Sequence, residues 1–222
     1  MFRHLAPERV RRVTAIRFEH SPGRGDLRFT GDRSAFDVFV EYVSPTGRRG
    51  FLGIEVKYHE ALGDPAAEHR PRYDELAEAM GCFAAERAAL RSPPLQQIWR
   101  DHLLAAALVA ADVGYDEGVF VFLAPEANVA CRRAVERYRR LLTNDSTFAS
   151  WTLEDVVRPF AADRSARWCA ELVDRYLAFE RVTACVLRET ASPAVPRVRL
   201  GALAADRVGR ARARGRAHGA AS

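Results

Sequence analysis

The stretch AFDVFVEYVSPTGRRGFLGIEVKYH, residues 35–59, contains two alternating runs separated by a turn. In the first run the residues at 36, 38, 40 and 42 are apolar or aromatic, and in the second those at 52, 54, 56 and 58 are. A period of two is typical of β-strands, and the intervening SPTGRRG supplies proline and glycine for a turn. The stretch therefore predicts an antiparallel hairpin.

The register of this hairpin follows from the apolar pattern. Folding about Thr46 pairs residues whose numbers sum to 92, which gives the apolar pairs Phe36–Val56, Val38–Ile54 and Val40–Leu52. On the other face Asp37 lies opposite Glu55, with Cβ atoms about 4.5 to 5.5 Å apart. A slip by one residue would turn every side chain to the opposite face. The apolar pattern therefore favours the register that brings the two carboxylates together.

Lys57 is the only lysine in a chain that contains 33 arginines, and it shares a strand face with Glu55. Two neighbouring carboxylates repel each other, and a divalent cation removes that repulsion. Oxygen ligands suit Mg²⁺, which activates water for attack on a phosphoryl group. A compact ammonium can position that water and offset developing charge better than a planar guanidinium. The alternative is an ordinary cross-strand cluster in which Lys57 neutralises Asp37 and Glu55.

The remaining pattern predicts strands mixed with helices. We expect a first helix within residues 6–19, a short strand LRFT at 27–30, and helical structure over 64–90 with breaks at Pro71 and Gly81. A helix opened by Ser92 and closed by Gly114, a buried strand at 118–125 and a helix at about 127–142 follow. The segment FASWTLEDVV, residues 148–157, is strand-like and precedes a long helix at about 163–187. This order is typical of an α/β or α+β layered domain.

Composition favours a cytoplasmic protein with one domain and a tail. At 222 residues the chain can bury a sizeable core. It has no apolar run of the roughly 20 residues needed to cross a bilayer, and its first residues lack the pattern of a secretory signal. The four cysteines form no CxxC and no cluster with histidine, which indicates neither zinc nor a disulfide framework. We therefore expect a reduced compartment and no membrane partner.

The positive charge of the chain is concentrated at its C-terminus. Residues 197–222 contain seven arginines and one acid, whereas the rest of the chain has 27 basic and 28 acidic residues. The tail either adds salt-sensitive affinity for phosphates or reflects only a general bias toward arginine. A second group of arginines falls on the helix predicted at 127–142, where it is either a phosphate-tracking face or a solvated one.

Three blocks in order, FEHSPGRGDLRFTGDRSAFDVFVEY, GIEVKYHE and LQQIWRDHLL, resemble the PD-(D/E)XK nuclease superfamily and in particular bacterial restriction-endonuclease-like proteins. The resemblance covers about residues 15–125. It implies an α/β fold with an αβββαβ core, in which helices flank a mixed central sheet, followed here by extra C-terminal helices. One departure from the motif is that Phe36, rather than proline, precedes the aspartate.

The resemblance also implies roles for individual residues. Asp37 and Glu55 would coordinate Mg²⁺, with the backbone carbonyl of Val56 as a further ligand, and Lys57 would be the catalytic lysine. An acid from the first helix often joins the site in this superfamily, and Glu19 is the nearest match. The helix after the ExK strand often supplies a polar residue. Its candidates are Gln96, Gln97 and Arg100, with Gln97 expected in catalysis and the other two in contact with nucleic acid, or all three on a solvated helix face.

We therefore expect a nuclease-like domain over residues 1–190 and a flexible basic tail rich in Arg, Ala and Gly over 191–222. The expected activity is Mg²⁺-dependent hydrolysis of DNA phosphodiester bonds by a metal-activated water, with Mn²⁺ as a substitute metal. DNA is the expected partner, and a homodimer remains open. The alternative, favoured by the nearly neutral body of the chain, is a non-catalytic module that binds nucleic acid or protein on a nuclease fold.

Overall fold

The hairpin predicted from residues 35–59 forms the centre of a five-stranded sheet. The computed structural model describes residues 1–161, 167–181, 183, 184 and 187. Every element named below lies in one unit, Met1–Phe179, and a second unit spans Glu180–Ser222. The tail expected at 191–222 lies outside the described residues.

The strands follow one another across the sheet in sequence order. They are β1 (Arg12–His20), β2 (Phe36–Val43), β3 (Arg49–Val56), β4 (Glu117–Ala124) and β5 (Phe148–Thr152). The first three strands pair antiparallel, and β3, β4 and β5 pair parallel. The sheet is therefore mixed, and its parallel half requires helical crossovers between consecutive strands.

The helices are α1 (Phe2–Leu5), α2 (Pro71–Met80), α3 (Gln96–Ala110), α4 (Val129–Arg139), α5 (Leu153–Val157) and α6 (Arg167–Tyr176). The crossovers α3 and α4 lie on the same face of the sheet, where they and α2 cover a core that includes Phe39, Phe51 and Phe120. The opposite face packs with residues of α1 and α5. Helices on both faces of a mixed sheet confirm the predicted α/β fold class.

The predicted hairpin register is confirmed between its paired strands. Val38 lies opposite Ile54, and Val40 lies opposite Leu52. The expected position of Phe36 on the same apolar face as Val38 is wrong, because Phe36 packs with the α3-facing core. At Phe36 the strand has passed the last paired residue of β3, and Gly53 leaves room for the ring. A Cβ atom on Gly53 would lie 2.6 Å from the Phe36 ring.

The first helix expected over residues 6–19 is wrong, because most of this segment is strand β1. The pairing of β1 with β2 shifts by one residue between Val13 and Ala15. This bulge interrupts the period of two, and the edge strand leaves Ile16 and Phe18 exposed. The apolar spacing therefore looks irregular in the sequence. The strand expected at LRFT is also wrong, because residues 27–30 form turns.

Later elements agree more closely with the sequence. Helix α2 begins at Pro71 and ends at Met80, and its C-cap residue Gly81 has a positive φ of 61°. Helix α3 begins at Gln96 and so excludes Ser92 as its N-cap. The strand-like segment at 148–157 is a strand for five residues only, because Thr152 and Asp155 form a capping box that starts α5.

The long helix expected at 163–187 is described only in part, as α6. Residues 162–166 and most of those after 181 lie outside the described part of the chain. None of the helices within that described part has the length and apolar content needed to span a membrane.

His102 is a core histidine. It is completely buried on α3, with Nδ1 2.8 Å from the Tyr138 hydroxyl and Nε2 2.8 Å from the Thr147 hydroxyl. Burial lowers the pKa of His102 to about 3. The folded protein therefore holds this imidazole in its neutral form throughout the range in which an exposed histidine becomes charged.

Replacing His102 by glutamine is expected to flatten the acid side of the stability profile. Because the pKa of the folded state lies below that of the unfolded state, the unfolded chain binds the proton first as the pH falls. Stability is then lost between about pH 6.5 and pH 3, at up to ~1.4 kcal/mol per pH unit. Urea unfolding of both proteins over this range measures the slope. Equal slopes for wild type and His102→Gln would contradict the assignment.

Candidate active site

Asp37 closes the end of the hairpin at which β2 and β3 stop pairing. The last Cα pair at this end is Val38 with Ile54. Beyond it, Oδ2 of Asp37 accepts a hydrogen bond from the backbone N–H of Val56 at 2.7 Å. A side-chain carboxylate therefore satisfies a backbone donor that the partner strand no longer reaches. The contact fixes Asp37 against the last residue of β3.

Glu55 and Lys57 project from the same side of the end of β3. Nζ of Lys57 lies 2.7 Å from Oε1 of Glu55, and both side chains are largely buried. Lys57 follows the last residue of β3, but its backbone N–H still donates to the carbonyl of Leu123 on β4 at 2.9 Å. This backbone contact continues the extended geometry that places the two side chains on one face.

The pKa values of Glu55 and Lys57 each depend on the charge of the other residue. Burial raises the pKa of Glu55 to about 7 despite the adjacent ammonium, and the charge of Asp37 contributes to the rise. Burial by itself lowers the pKa of Lys57, but the contact with Glu55 outweighs it and the pKa is raised. The site therefore contains a buried carboxylate, Glu55, whose charge is disfavoured, beside a lysine that remains protonated.

Helix α3 contributes Gln97 to this group. Nε2 of Gln97 donates to Oε1 of Glu55 at 2.5 Å, so that one carboxylate oxygen has both Gln97 and Lys57 as partners. Gln96 turns elsewhere. Its amide donates to the carbonyl of Ala67 and accepts from the N–H of Ala67, both at 2.7 Å. That double contact favours a role in anchoring the loop over the expected contact with nucleic acid.

Arg100, one turn after Gln96, is held in a buried network. Its Nε donates to Oδ2 of Asp32 at 3.0 Å and its Nη2 to Oγ of Ser34 at 2.9 Å. The Tyr73 hydroxyl donates to the same oxygen of Asp32 at 2.6 Å. Burial alone would raise the pKa of Asp32, but these hydrogen bonds and the charge of Arg100 lower it to about 2. The guanidinium is therefore fixed in place.

A cleft of about 350 Å³ lies between the end of the hairpin and α3, and most of the candidate site residues line it, although Lys57 does not. Its polar lining residues are Ser34, Asp37, Glu55, Asp64, Gln96, Gln97, Arg100 and Asp101. The cleft lies at the carboxyl end of β3, beside the N-terminus of α3. Ligand sites in sheets with parallel strands commonly occur at this end.

A family model of the PD-(D/E)XK nuclease superfamily matches residues 1–178, which is most of the chain. The chain belongs to the PD-(D/E)XK nuclease superfamily. Comparison with curated proteins and with solved structures gave no match. Membership indicates a nuclease, with nucleic acid as the substrate, and PD-(D/E)XK nucleases generally use divalent metal ions.

Glu19 is separated from this group. It lies on strand β1 rather than on the expected first helix, its side chain is exposed, and it is not part of the lining of the cleft. Its backbone has a positive φ of 50°, next to the end of the strand. Among the described residues, no hydrogen bond or ion pair joins it to Asp37, Glu55 or Lys57. A catalytic role for Glu19 stays a prediction.

The donor chemistry of the candidate site fits a divalent cation, although few side chains are available as ligands. Asp37 and Glu55 are hard oxygen donors, and the negative charge of one raises the pKa of the other. A cation between them would remove that repulsion. Within the part of the chain that is described, no group of three or more histidine, cysteine, aspartate or glutamate side chains could hold a metal. Backbone or water oxygens would complete the coordination.

Asp101 is the site residue that sequence reasoning missed. It lies four residues after Gln97 on α3, is only 4% exposed, and lines the cleft. Among the residues that the structure describes, its Oδ2 has no hydrogen-bond partner. Burial raises the pKa of Asp101 well above its usual range, and the charge of Glu55 adds to this. The signal available in the sequence was a single acid among the mostly apolar residues of IWRDHLL. In the structure the neighbouring residues of this helix are buried.

The substitution Asp101→Asn is expected to stabilise the protein increasingly as the pH rises. A carboxyl whose pKa is raised by folding makes the folded state lose stability above pH ~4, by up to ~1.4 kcal/mol per pH unit until the folded pKa is reached. Asparagine has the same shape and does not titrate. Urea unfolding in metal-free buffer at pH 5 and pH 8 measures the difference. A difference between the two proteins that is independent of pH would contradict this expectation.

Proposed function

We propose that the protein is a Mg²⁺-dependent deoxyribonuclease that hydrolyses phosphodiester bonds with water as the nucleophile. The observation that carries the proposal is the group at the end of the hairpin. Asp37 accepts a hydrogen bond from the N–H of Val56, and Glu55 and Lys57, on either side of Val56, are 2.7 Å apart. Asp37 and Glu55 line the cleft. This order of acid, acid and lysine is the signature of the superfamily to which the chain belongs.

In this proposal the carboxylates of Asp37 and Glu55 and the backbone carbonyl of Val56 hold the Mg²⁺, and Mn²⁺ can replace it. The N–H and C=O of one strand residue point to the same side of the strand, and the N–H of Val56 faces Asp37. The carbonyl of Val56 is therefore directed toward the same carboxylate. A bound divalent cation supplies Lewis acidity and lowers the pKa of water.

The other side chains would orient the reactants. Lys57 would position the attacking water and would offset the negative charge that develops on the phosphate. Gln97 restrains the Glu55 carboxylate through a 2.5 Å hydrogen bond. Arg100, fixed by Asp32 and Ser34, would contact a phosphate of the nucleic acid. Gln96 would act indirectly, by holding the loop at Ala67.

The first prediction of this proposal is that Lys57 and Asp37 are both required for cleavage. Plasmid and linear DNA would be incubated with Mg²⁺ or Mn²⁺ and analysed by gel electrophoresis. Asp37→Ala, Lys57→Ala and Lys57→Arg are each expected to lose at least ~100-fold in rate, since general acid–base and electrostatic contributions are of that size. Arginine retains the charge but not the shape of the ammonium.

Glu78→Gln serves as the matched control, because it removes an exposed carboxylate from outside the cleft. It is expected to cleave at a rate close to that of wild type. Equal cleavage by wild type and the Lys57 and Asp37 variants would overturn the catalytic proposal.

The second prediction is that metal binding depends on the same two carboxylates. Isothermal titration of wild type with Mn²⁺ is expected to show a site with millimolar or tighter affinity. Asp37→Asn and Glu55→Gln should each weaken it by at least ~10-fold, because each removes a charged ligand. The substitution Asp32→Asn, which changes a buried acid bound to Arg100, is the comparison variant for nonspecific loss. Absence of metal binding in wild type at millimolar concentration would refute the proposal.

A second candidate function is a module that binds nucleic acid without cleaving it. It is favoured by the nearly neutral charge of the chain outside residues 197–222 and by the small set of metal-ligating side chains among the described residues. A binding module should keep its DNA affinity in EDTA and lose it when the basic tail is removed. A nuclease should instead show cleavage that requires metal and depends on Lys57.

A further inference from the structure

Helix α4 presents an exposed face that is almost entirely arginine. Its buried side consists of Cys131, Ala134, Val135 and Tyr138. The helix and its C-cap position contain one acid, Glu136, and five exposed arginines: Arg132, Arg133, Arg137, Arg139 and Arg140. The charge of this element therefore differs from that of the chain before residue 197, which is nearly neutral as a whole.

The arginines of α4 have no acidic partners among the described residues. Nine other arginines each lie within 4 Å of a carboxylate: Arg9, Arg17, Arg28, Arg48, Arg72, Arg87, Arg91, Arg100 and Arg158. On α4, Arg132 donates to the carbonyl of Glu126, and Arg139 donates to Ser150. Like charges spaced four apart on a helix are destabilising. Arg133 and Arg137 are spaced in this way, so their mutual repulsion is a cost to the helix.

Three of these arginines form a row, which we call the arginine row: Arg133, Arg137 and Arg140. They are spaced four and three residues apart and so share one face of the helix. Within the described residues their side chains form no hydrogen bond or ion pair. The row spans about 10.5 Å, at a rise of 1.5 Å per residue. Successive phosphates on one DNA strand are ~3.4 Å apart along the helix axis, so a row of this length covers about three of them.

The helix that carries the row begins next to the candidate active site. Its N-cap residue, Asn128, donates through Nδ2 to the carbonyls of Tyr58 at 3.2 Å and Glu60 at 3.0 Å. The thiol of Cys131 also contacts the carbonyl of Glu60 at 3.4 Å. These carbonyls belong to the loop that directly follows Lys57. Measured along the helix axis from Asn128, the arginine row therefore begins at about 7.5 Å and ends at about 18 Å.

We propose that the arginine row binds the sugar–phosphate backbone of nucleic acid on one side of the cleft. The inference rests on the proposed function, because it assigns the row to the substrate of the same site. The exposed face between residues 132 and 140 presents no large apolar side chain, and Val129, one turn before Arg133, is the single exposed large apolar residue of the helix. Protein interfaces have an apolar core, and helices that lie on membranes insert an apolar face. A linear polyanion fits this surface better than either.

The test is the salt dependence of binding to a fluorescein-labelled DNA duplex of 30 base pairs, measured by anisotropy in EDTA with the full chain. The row variant combines Arg133→Gln, Arg137→Gln and Arg140→Gln. Each phosphate contact contributes about 0.9 to the slope of log K against log salt concentration, so the slope should fall in magnitude by ~2 to 3. Affinity at 0.1 M salt should fall at least ~10-fold.

The matched control combines Arg28→Gln, Arg48→Gln and Arg158→Gln. These arginines are more than half exposed, but each has a carboxylate partner. The control removes the same charge and should change the slope by less than about one. Should the row variant melt below wild type in circular dichroism, the single variant Arg137→Gln, with an expected slope change of ~0.9, replaces it.

The proposal is overturned if the row variant keeps the wild-type slope or if the control variant loses as much. A row variant that loses affinity only for phosphatidylserine vesicles would identify a membrane contact and would also overturn it. Binding is measured without metal and cleavage with metal, so the two proposals fail separately. If wild type does not cleave but the row variant lowers the slope as expected, only the nuclease proposal is refuted. If wild type cleaves but the row variant keeps the wild-type slope, only the proposal for the arginine row is refuted.

Discussion

The hydrogen bond between Asp37 and the N–H of Val56 is the contact on which the candidate site depends. It forms where the ladder between β2 and β3 has ended, so a side chain takes over a role that backbone carbonyls have along the rest of the hairpin. The same carboxylate thereby becomes part of the cleft wall. Glu55 and Lys57, which flank Val56, are placed relative to Asp37 by this single bond. The same hydrogen bond therefore pairs a backbone donor and brings the charged side chains together.

The central hairpin could be predicted from the sequence because two independent signals agree. Alternation determines which side chains share a face, and the turn residues limit the register. Strand β1 could not, because a bulge and an exposed edge make its apolar residues irregularly spaced. The reversed orientation of Phe36 was likewise hidden. It depends on where pairing stops and on the space above Gly53, neither of which alternation encodes.

The candidate site divides in the same way. The convergence of Asp37, Glu55 and Lys57 could be predicted because all three lie on one hairpin, where short-range geometry is fixed by register. The different contacts of Gln96 and Gln97 could not, since they depend on how α3 is rotated against the sheet. Asp101 was missed for that reason too: its burial arises from packing between elements distant in sequence.

The absence of a side chain at Gly53 has a consequence for the whole hairpin. A slip of the strands by two residues would preserve every match between apolar faces, so hydrophobicity alone does not exclude it. Such a slip would bring Phe51 or Glu55 to the place where the Phe36 ring now lies close over Gly53, and the ring would collide with it. The position of one aromatic ring thus excludes registers in which the same apolar faces would be buried. In this way a residue without functional groups determines that Glu55, rather than Gly53 or Lys57, lies opposite Asp37.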